Sequence, residues 1–214
     1  MTGRFITFEG GEGTGKTTQI KLLAEYLRQK GIEVVVTKEP GGTPIGQELR
    51  AMLCTGDKDK FDAVAEALLY YADRRIHLQQ KILPALQSGK WVISDRFADS
   101  TMAYQYYGYN KRLPKEMLEE LYKMTVGDFY PDLTVILDIA PEIGLARSMA
   151  RNGTGAVSEI RFESRDIEFH HNLRRGFLEI AATSPRYAVI DANQTIEKLH
   201  DNIVKLVEER LCNA

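Results

Sequence analysis

The stretch of sequence that decides the fold lies near the start of the chain and comprises Gly10, Gly11, Glu12, Gly13, Thr14, Gly15, Lys16 and Thr17. It follows a run of β-forming residues, Arg4–Glu9, and precedes an apolar stripe of helical period, Lys16–Gln29. This is the complete pattern G-x-x-x-x-G-K-T in the strand-loop-helix context that the pattern requires. The sequence therefore predicts a phosphate-binding loop (P-loop) at residues 10–17.

Each residue type in the P-loop contributes to holding an anion. Glycines adopt positive φ without steric cost, so the loop can turn its backbone N–H groups inward, toward the positive end of the helix dipole. Lys16 supplies a positive charge for the β- and γ-phosphates of a nucleotide, and the Thr17 hydroxyl suits a magnesium ion that bridges them. A glycine-rich turn without a ligand is the alternative, and the complete motif argues against it.

Beyond the P-loop, strand-like runs alternate with segments of helical period. The other β-rich runs are Glu33–Lys38, Lys90–Ser94, Leu133–Ile139 and Tyr187–Asp191. The other helical segments are Phe61–Ile76, Pro114–Val126, Pro141–Met149, Glu168–Ala182 and Ile196–Leu211. This alternation predicts an α/β fold with a five-stranded parallel sheet and helices on both faces. No repeat or linker divides the chain, so we expect one domain over residues 1–214, with a mobile loop at Asn152–Ser158.

Composition excludes several classes of protein. The chain is 43% hydrophobic and 27% charged, and 28 basic against 30 acidic residues give a net charge of −2. No cationic field therefore draws it to nucleic acid or to a membrane.

Cys54 and Cys212 fit no metal-binding spacing, which favours reduced thiols and a cytoplasmic location. The most apolar run, Leu133–Ala140, is shorter than the ~18 residues that span a bilayer, and Met1–Gly10 lacks the features of a signal peptide.

A P-loop alone is compatible with GTPases, ATPases and small-molecule kinases. The guanine-binding pattern Asn-Lys-x-Asp is missing, and Asn110-Lys111-Arg112-Leu113 resembles only its beginning. No predicted strand ends in the Asp-Glu pair with which many ATPases polarise water. A P-loop without a hydrolytic base indicates transfer of a phosphoryl group to a bound acceptor.

Three further clusters of polar residues are candidates for an acceptor site. Glu39-Pro40-Gly41-Gly42-Thr43 follows the second strand, Tyr70-Tyr71-Ala72-Asp73-Arg74 lies in the long middle helix, and Asp95-Arg96-Phe97 follows the third strand. Strands of a parallel sheet end at the edge where ligands bind, which is also the edge of the P-loop. We therefore expect the three clusters to converge there.

With these clusters the chain resembles the thymidylate kinase family. Residues 95–105, from Asp95 to Gln105, resemble that family's D-R-[YFH]-x-x-S-[ST]-x-A-Y-Q, and residues 39–43 resemble its E-P-G-G-T. Residues 137–142, LDIAPE, resemble its L-D-V-x-P-E, and Arg161-Phe162-Glu163 resembles the R-F-E that follows its lid. The resemblance runs from residue 5 to about residue 195 and implies a P-loop kinase fold.

The resemblance also implies an activity and a set of site residues. The activity is phosphoryl transfer from ATP to dTMP, giving ADP and dTDP for dTTP synthesis, with Mg²⁺ as the cofactor and a homodimer as the assembly. The implied ATP site comprises Gly10, Gly11, Glu12, Gly13, Thr14, Gly15, Lys16, Thr17, Thr18 and Arg147. The implied dTMP site comprises Glu12, Glu39, Arg50, Tyr70, Arg74, Arg96, Ser100, Thr101, Tyr104 and Gln105. The implied catalytic residues are Lys16, Asp95, Arg96 and Arg151, and the metal residues are Thr17 and Asp95.

For the base and sugar of dTMP, the resemblance implies individual roles. Tyr70 stacks on thymine, and Arg74 hydrogen-bonds a base carbonyl. Thr101 and Gln105 bind the pyrimidine edge, whereas the Tyr104 ring crowds the 2′ carbon of the sugar. Packing in the core without a ligand is the alternative for Tyr70, since aromatic residues at helical spacing usually pack.

For the phosphate of dTMP, Arg50 and Arg96 are the implied clamps, and planar guanidinium groups suit that task. Glu12 is implied to reach the sugar 3′-hydroxyl, and Asp95 to act near the metal. The alternatives are a solvated carboxylate for Glu12 and a helix cap for Asp95. The acceptor phosphate has a second pKa of about 6 and is largely ionised near pH 7, so no general base is needed.

The P-loop carries Gly13 where some family members have an arginine, so the transition-state arginine is expected from a lid at about residues 147–162. Arg147, Arg151 and Arg161 are the candidates, an arrangement that resembles the bacterial type. We expect Arg151 to act in catalysis and Arg147 to contact the adenine or ribose of ATP. Met149 stands where that type often has a further arginine.

Two other functions stay open from the sequence. A deoxynucleoside kinase would need a base near a 5′-hydroxyl, and a non-catalytic nucleotide-binding protein would lack the acceptor signature. The adjacent His170 and His171 do not predict a metal site, because neighbours on a helix point about 100° apart, and a solvated face is expected for both.

Overall fold

The computed structural model describes residues 3–57, 59–152 and 160–212. Its five strands are β1 (Phe5–Glu9), β2 (Val34–Lys38), β3 (Trp91–Asp95), β4 (Leu133–Asp138) and β5 (Tyr187–Asp191). They form one parallel sheet in the order β2-β3-β1-β4-β5. Because β1 is central, the P-loop that follows it lies at the middle of one sheet edge.

The helices follow the strands along the chain. They are α1 (Lys16–Gln29), α2 (Pro44–Cys54), α3 (Ala63–His77), α4 (Leu83–Gln87), α5 (Ala98–Thr101), α6 (Lys115–Thr125), α7 (Pro141–Asn152), α8 (Ile160–Glu163), α9 (Ile167–Ala181) and α10 (Ile196–Val207). The π-helical turns Leu78–Ile82, Met102–Gly108 and Glu208–Cys212 join α3 to α4, extend α5 and extend α10.

The N-termini of four of the longer helices are capped by side chains. Oxygens of Thr43, Asp62, Asp166 and Thr195 accept a hydrogen bond from the backbone N–H three residues later, which satisfies a donor that the helix itself leaves unpaired. Helix α1 begins differently, after Gly15 in the left-handed conformation and without a side-chain cap. Its first N–H groups are therefore available to an anion.

The sheet is buried on both faces, as parallel sheets usually are. On β1, Ile6 and Phe8 pack in one cluster with residues of α1 and α10, while Phe5 packs in another with Leu78 and Ile82. All three strand residues have no exposed surface. Burial of each such side chain contributes about 1.5–3 kcal/mol to stability.

The structure confirms the predicted sheet, with each strand end within one residue of its predicted position, and the predicted bounds of α1. Helix α2 and the helical stretch 98–108 were not predicted. The expected solvent exposure of His170 is wrong, because its ring is 4% exposed, whereas His171 lies at the surface. Both cysteines are free thiols, as expected.

Most of the predicted mobile loop, at residues 153–159, lies outside the described residues. Within the described residues, no helix combines the length and the hydropathy that a membrane crossing requires.

Candidate active site

A cavity of about 350 Å³ lies beyond the carboxyl ends of β1, β2 and β3. The structure brings the P-loop and the three predicted acceptor clusters together around it. Its walls comprise Glu12, Gly13, Thr14, Gly15, Lys16, Thr17, Thr18, Lys38, Glu39, Pro40, Arg50, Cys54, Tyr70, Arg74, Asp95, Arg96, Phe97, Ser100, Thr101, Tyr104, Gln105, Phe162 and Glu163. The ends of three neighbouring strands and the helices after them therefore form one continuous site.

The P-loop has the backbone that the motif predicts. Gly10, Gly13 and Gly15 have φ angles of 129°, 65° and 91°, which side-chain-bearing residues rarely adopt. The Lys16 ammonium is folded onto the loop and donates to the carbonyl oxygens of Gly10 at 3.1 Å and Gly11 at 2.7 Å. Burial and the nearby Arg96 charge lower the pKa of Lys16 to about 8. A bound phosphate would supply the negative charge that this buried ammonium lacks.

Helix α7 touches the P-loop through backbone atoms. A Cβ added to Gly13 would lie 1.9 Å from the carbonyl oxygen of Gly144, and a Cβ added to Gly144 would lie 2.4 Å from that of Glu12. Neither position has space for a side chain. This contact explains in physical terms why the loop carries no arginine at position 13.

Arg96 is the centre of the acceptor side. Its backbone has a φ of 70°, a conformation that costs energy in a residue with a side chain and often marks a functional site. One terminal nitrogen, Nη1, donates to the Gly10 carbonyl and the Ser100 hydroxyl, both at 3.0 Å. The other, Nη2, donates to Glu12 Oε1 at 3.0 Å and Tyr104 Oη at 2.9 Å. The guanidinium is therefore held at the junction of the P-loop and the acceptor cavity.

Glu12 stays ionised beside Arg96. Burial alone would raise the pKa of Glu12, but the charges of Arg96 and Lys16 and the hydrogen bond from Tyr104, at 2.6 Å, hold it at about 2. Glu12 therefore carries a negative charge at all physiological pH values, so its carboxylate can accept a hydrogen bond from a sugar hydroxyl.

Glu9, at the end of β1, is a site residue that the sequence analysis missed. Its Oε1 accepts from the Phe97 backbone N–H at 2.8 Å, and its Oε2 accepts from the Ser100 hydroxyl. Burial, helped by the Asp99 charge, raises the pKa of Glu9 to about 8. The carboxyl group thus fixes the turn that carries Arg96. A signal was present in the sequence, since an acid ends an otherwise uncharged strand directly before the P-loop.

Arg74 belongs to α3, lines the same cavity and is 1% exposed. Its Nε donates to Glu39 Oε2 at 2.9 Å, and its Nη2 donates to the Phe97 carbonyl at 3.1 Å and to Thr101 Oγ1 at 2.9 Å. The third nitrogen, Nη1, is buried and has no protein partner. Because buried donors are almost always paired, this nitrogen indicates a ligand with an acceptor atom.

Thr17 and Asp95 lie side by side between the P-loop and β3. The Thr17 hydroxyl donates to Asp95 Oδ2 at 3.0 Å. Hydroxyl and carboxylate oxygens are ligands that Mg²⁺ prefers, so the pair fits a magnesium ion. The described residues contain no cluster of three His, Cys, Asp or Glu side chains that could hold a metal alone. The remaining ligands of such an ion would therefore be phosphate oxygens and water.

The predicted lid arginines lie in different places. Arg147 donates to the Ala192 carbonyl at 3.1 Å and to Asn193 Oδ1 at 3.4 Å, beside the end of β5. Arg161 is 2% exposed and binds the Leu53 carbonyl, at 3.0 Å, and the Glu66 carboxylate. Arg161 therefore joins α8 to α2 and α3 in this structure. The side chain of Arg151 lies outside the described part of the chain.

The remaining predicted residues lie on the wall formed by α2, α3 and the 98–108 helix. Arg50 donates to the Pro40 carbonyl at 2.6 Å, and Tyr70 is half-buried at the cavity surface. Gln105 donates to Glu66 Oε2 at 3.2 Å. Glu66 is a second residue that the sequence analysis missed, and it links Gln105 to Arg161.

A P-loop at the end of the central strand, sharing one cavity with arginines suited to a second anion, defines a P-loop kinase. A family model for thymidylate kinase matches residues 8–203. The chain therefore belongs to the thymidylate kinase family.

The similarity to known proteins extends over nearly the whole chain. A thymidylate kinase from Bradyrhizobium sp. (strain ORS 278) is 48% identical over 99% of this chain and 92% of that relative. One from Maridesulfovibrio salexigens is 48% identical over 97% and 96%. A crystal structure of thymidylate kinase from Ehrlichia chaffeensis has 36% identity and a TM-score of 0.78, and the match covers 97% of this chain and 99% of that one.

Proposed function

We propose that the protein transfers the γ-phosphoryl group of ATP to dTMP, giving ADP and dTDP, in the synthesis of dTTP. The observation that carries this proposal is the shared cavity, which residues of the P-loop, Arg96 and Arg74 line together. An oxygen of the dTMP phosphate attacks the γ-phosphorus as the bond from phosphorus to the β-phosphate oxygen breaks. Family membership and the names of the relatives support the same activity.

On the acceptor side, each proposed role has a structural basis. Arg96 and Arg50 bind the dTMP phosphate, and the ionised Glu12 accepts from the sugar hydroxyl. Arg74 donates through its unpaired Nη1 to a carbonyl of the base. Stacking on the base comes from Tyr70. Contacts to the base edge and the sugar come from Thr101, Tyr104 and Gln105. Glu39 holds Arg74, and Ser100 holds Arg96.

Catalysis depends on position and charge rather than on a base. The attacking phosphate oxygen is already largely ionised near pH 7. Lys16 and the site arginines stabilise the charge that spreads over the transferred group in the transition state. We place the transition-state arginine of the lid at Arg151.

On the donor side, the loop residues Gly10 to Thr18 bind the phosphates of ATP. Thr17 and Asp95 would hold Mg²⁺, which supplies charge neutralisation at the β- and γ-phosphates. Arg147 lies beside the carboxyl end of β5, so we assign it to the adenine or ribose. The lid is placed at about residues 147–162 of a single domain, 1–214.

The decisive experiment is a coupled assay of ADP release with ATP and Mg²⁺ across the nucleoside monophosphates and thymidine. ADP release that depends on dTMP supports the proposal. Release that depends on thymidine instead would indicate a deoxynucleoside kinase. ATP binding without release in the presence of any acceptor would indicate a non-catalytic nucleotide-binding protein.

A homodimer and a cytoplasmic location remain part of the proposal and rest on the family resemblance and on the two free thiols. Light scattering coupled to size-exclusion chromatography measures the molar mass and so tests the oligomeric state, since a dimer has twice the 24.2 kDa mass of the chain.

A further inference from the structure

A chain of buried hydrogen bonds leads from β2 to the base side of the acceptor cavity. Thr37 Oγ1 and His77 Nε2 are 2.7 Å apart, His77 Nδ1 and Glu39 Oε1 are 2.8 Å apart, and Glu39 Oε2 accepts from Arg74 Nε at 2.9 Å. All four residues are buried, and His77 has no exposed surface. Thr37 and His77 are not part of the cavity wall, so neither can touch a ligand there.

The chemistry of the groups sets the direction of these hydrogen bonds. An ionised carboxylate only accepts hydrogen bonds, so His77 donates its Nδ1–H to Glu39 Oε1. The Nε2 atom can then accept the hydroxyl proton of Thr37. Thr37, His77 and Glu39 all have hydrogen-bond partners in this arrangement, which fixes the ring of His77 at both nitrogens.

The two carboxylate oxygens of Glu39 bind different partners, and this fixes the orientation of the Arg74 guanidinium. His77 occupies Oε1, so Glu39 cannot rotate without breaking that bond, and its Oε2 stays on Arg74 Nε. Nη2 of Arg74 is held separately by Phe97 and Thr101. The only nitrogen of this guanidinium without a protein partner, Nη1, is thereby left in one orientation.

The loop that carries Glu39 is also fixed from α3. A Cβ on Gly42 would lie 2.3 Å from the His77 ring, so the ring packs directly against the backbone there. Asp73 accepts from the Gly41 N–H with both carboxylate oxygens at 3.3 Å. Helix α3 therefore positions both Arg74 and the carboxylate that orients it.

We propose that His77 and Thr37 are positioning residues that orient the unpaired Nη1 of Arg74 toward a carbonyl oxygen of the acceptor base. This inference rests on the proposed function, which puts a nucleoside monophosphate in the cavity. It assigns to two residues outside the site a share in the affinity for the base and none in the transfer of the phosphoryl group.

The test compares Thr37→Val, which removes the hydroxyl, with Thr37→Ser, which keeps it. For each variant, calorimetric titration gives the Kd for dTMP, and the coupled assay gives kcat and both KM values. We expect Thr37→Val to weaken dTMP binding about fivefold, the effect of one neutral hydrogen bond, with kcat and the KM for ATP unchanged. Thr37→Ser should match the wild type. Unchanged dTMP affinity in Thr37→Val would overturn the proposal.

Changes at His77 provide a second measurement. His77→Asn keeps a donor that can reach Glu39, whereas His77→Phe keeps the ring shape without a donor. We expect His77→Phe to lose more dTMP affinity than His77→Asn. Equal losses would contradict the role of the Nδ1 proton. Thermal unfolding of each variant identifies any that fail to fold, and Thr37→Val is the milder change on which the proposal can still be decided.

A double-mutant cycle separates positioning from general destabilisation. In an Arg74→Ala background, Thr37→Val should cause no further loss of dTMP affinity, because the group on which it acts is gone. Thr125→Val is the matched control. It is the same substitution away from the cavity wall, removes the hydrogen bond from Thr125 Oγ1 to the Leu121 carbonyl at 2.6 Å, and should leave the Kd for dTMP unchanged. Equal effects of Thr37→Val in both backgrounds would refute the inference.

Failure of the proposed function gives a different result. If the wild type binds dTMP but releases no ADP with it, the proposed transfer fails while the Kd comparison still decides the positioning role. If the wild type does not bind dTMP, both proposals are overturned.

Discussion

The backbones of Gly13 and Gly144 are in direct contact, so that a Cβ on Gly13 would lie 1.9 Å from the carbonyl oxygen of Gly144. The contact joins the P-loop to α7, the helix that carries Arg147 and Arg151. The position of α7 relative to the P-loop is therefore set by two residues without side chains.

Gly144→Ala tests this contact. In an ordinary helix the change would stabilise the protein by up to about 1 kcal/mol, but here the new methyl group would lie 2.4 Å from the Glu12 carbonyl oxygen. We expect a loss of about 1–3 kcal/mol in the free energy of unfolding, typical of overpacking, and a fall in kcat of about tenfold or more. Denaturant unfolding and steady-state kinetics measure both.

The control for that change is Ile143→Ala on the same turn, where the side chain is 37% exposed. It should alter the free energy of unfolding and kcat far less. If Gly144→Ala were as stable and as active as the wild type, the contact would not fix the position of α7.

Lys16→Ala should abolish transfer and leave the fold intact, because it removes a charge needed in the transition state rather than a packing group. Lys21→Ala is the matched control on the exposed face of α1 and should retain wild-type kinetics. Circular dichroism confirms folding, and the coupled assay measures kcat. A folded Lys16→Ala enzyme with near-wild-type kcat would refute the assignment of the P-loop.

Glu9→Gln tests the raised pKa of a buried acid. Burial raises the pKa of Glu9 in the folded protein to about 8, from an ordinary value of 4.5. The folded state thus binds the proton more tightly, and stability is lost as pH rises from about 4.5 to 8. Glutamine cannot ionise, so the variant should escape this loss. We expect its free energy of unfolding relative to the wild type to rise between pH 5 and pH 8.5.

Chemical denaturation at those two pH values checks the change, with the exposed Glu33→Gln as the control. A difference in stability between Glu9→Gln and the wild type that does not vary with pH would contradict the raised pKa of Glu9.

The sequence predicted the sheet well because its strands are short apolar runs bounded by turn residues, and periodicity identifies such runs. It missed α2, whose buried residues are only Gly46, Leu53 and Cys54 and make no helical stripe. The glycines and proline just before and within this helix are typical of a loop, which favoured that interpretation.

The sequence motifs identified most of the residues that line the candidate site, but the networks of buried hydrogen bonds could not be predicted. Glu9 pairs with a backbone group 88 positions away, and Glu66 with Arg161 at a separation of 95. Charged residues are usually exposed, so no local pattern marks those that fold into the interior. The same reasoning led to the wrong expectation for His170.

Arg74→Ala should raise the KM for dTMP about tenfold to a hundredfold, the effect of one lost charged hydrogen bond of roughly 1.5–3 kcal/mol. The KM for ATP should change little, because Arg74 hydrogen-bonds Glu39, Phe97 and Thr101 and no residue of the P-loop. Arg75→Ala is the matched control, since the neighbouring guanidinium is exposed and donates to the Thr125 carbonyl at 3.0 Å. An effect on ATP alone would mean that the two substrate sites are reversed.

The last prediction concerns the lid arginines and separates three roles by kinetics. Gly13 leaves the P-loop without a guanidinium, yet the charge on the transferred phosphoryl group needs a cation beyond Lys16 and the metal. We expect Arg151→Ala to lower kcat about a hundredfold or more with both KM values nearly unchanged, the pattern of an interaction made mainly in the transition state.

Arg147→Ala should instead raise the KM for ATP, because its side chain lies against Ala192 and Asn193 after β5. Arg161→Ala should lower the free energy of unfolding, since it leaves the buried Glu66 carboxylate without its ion pair. Steady-state kinetics and denaturant unfolding on the three variants distinguish these outcomes. An unchanged kcat in all three would mean that the transition-state cation comes from outside the lid, and the assignment to the bacterial type would then be wrong.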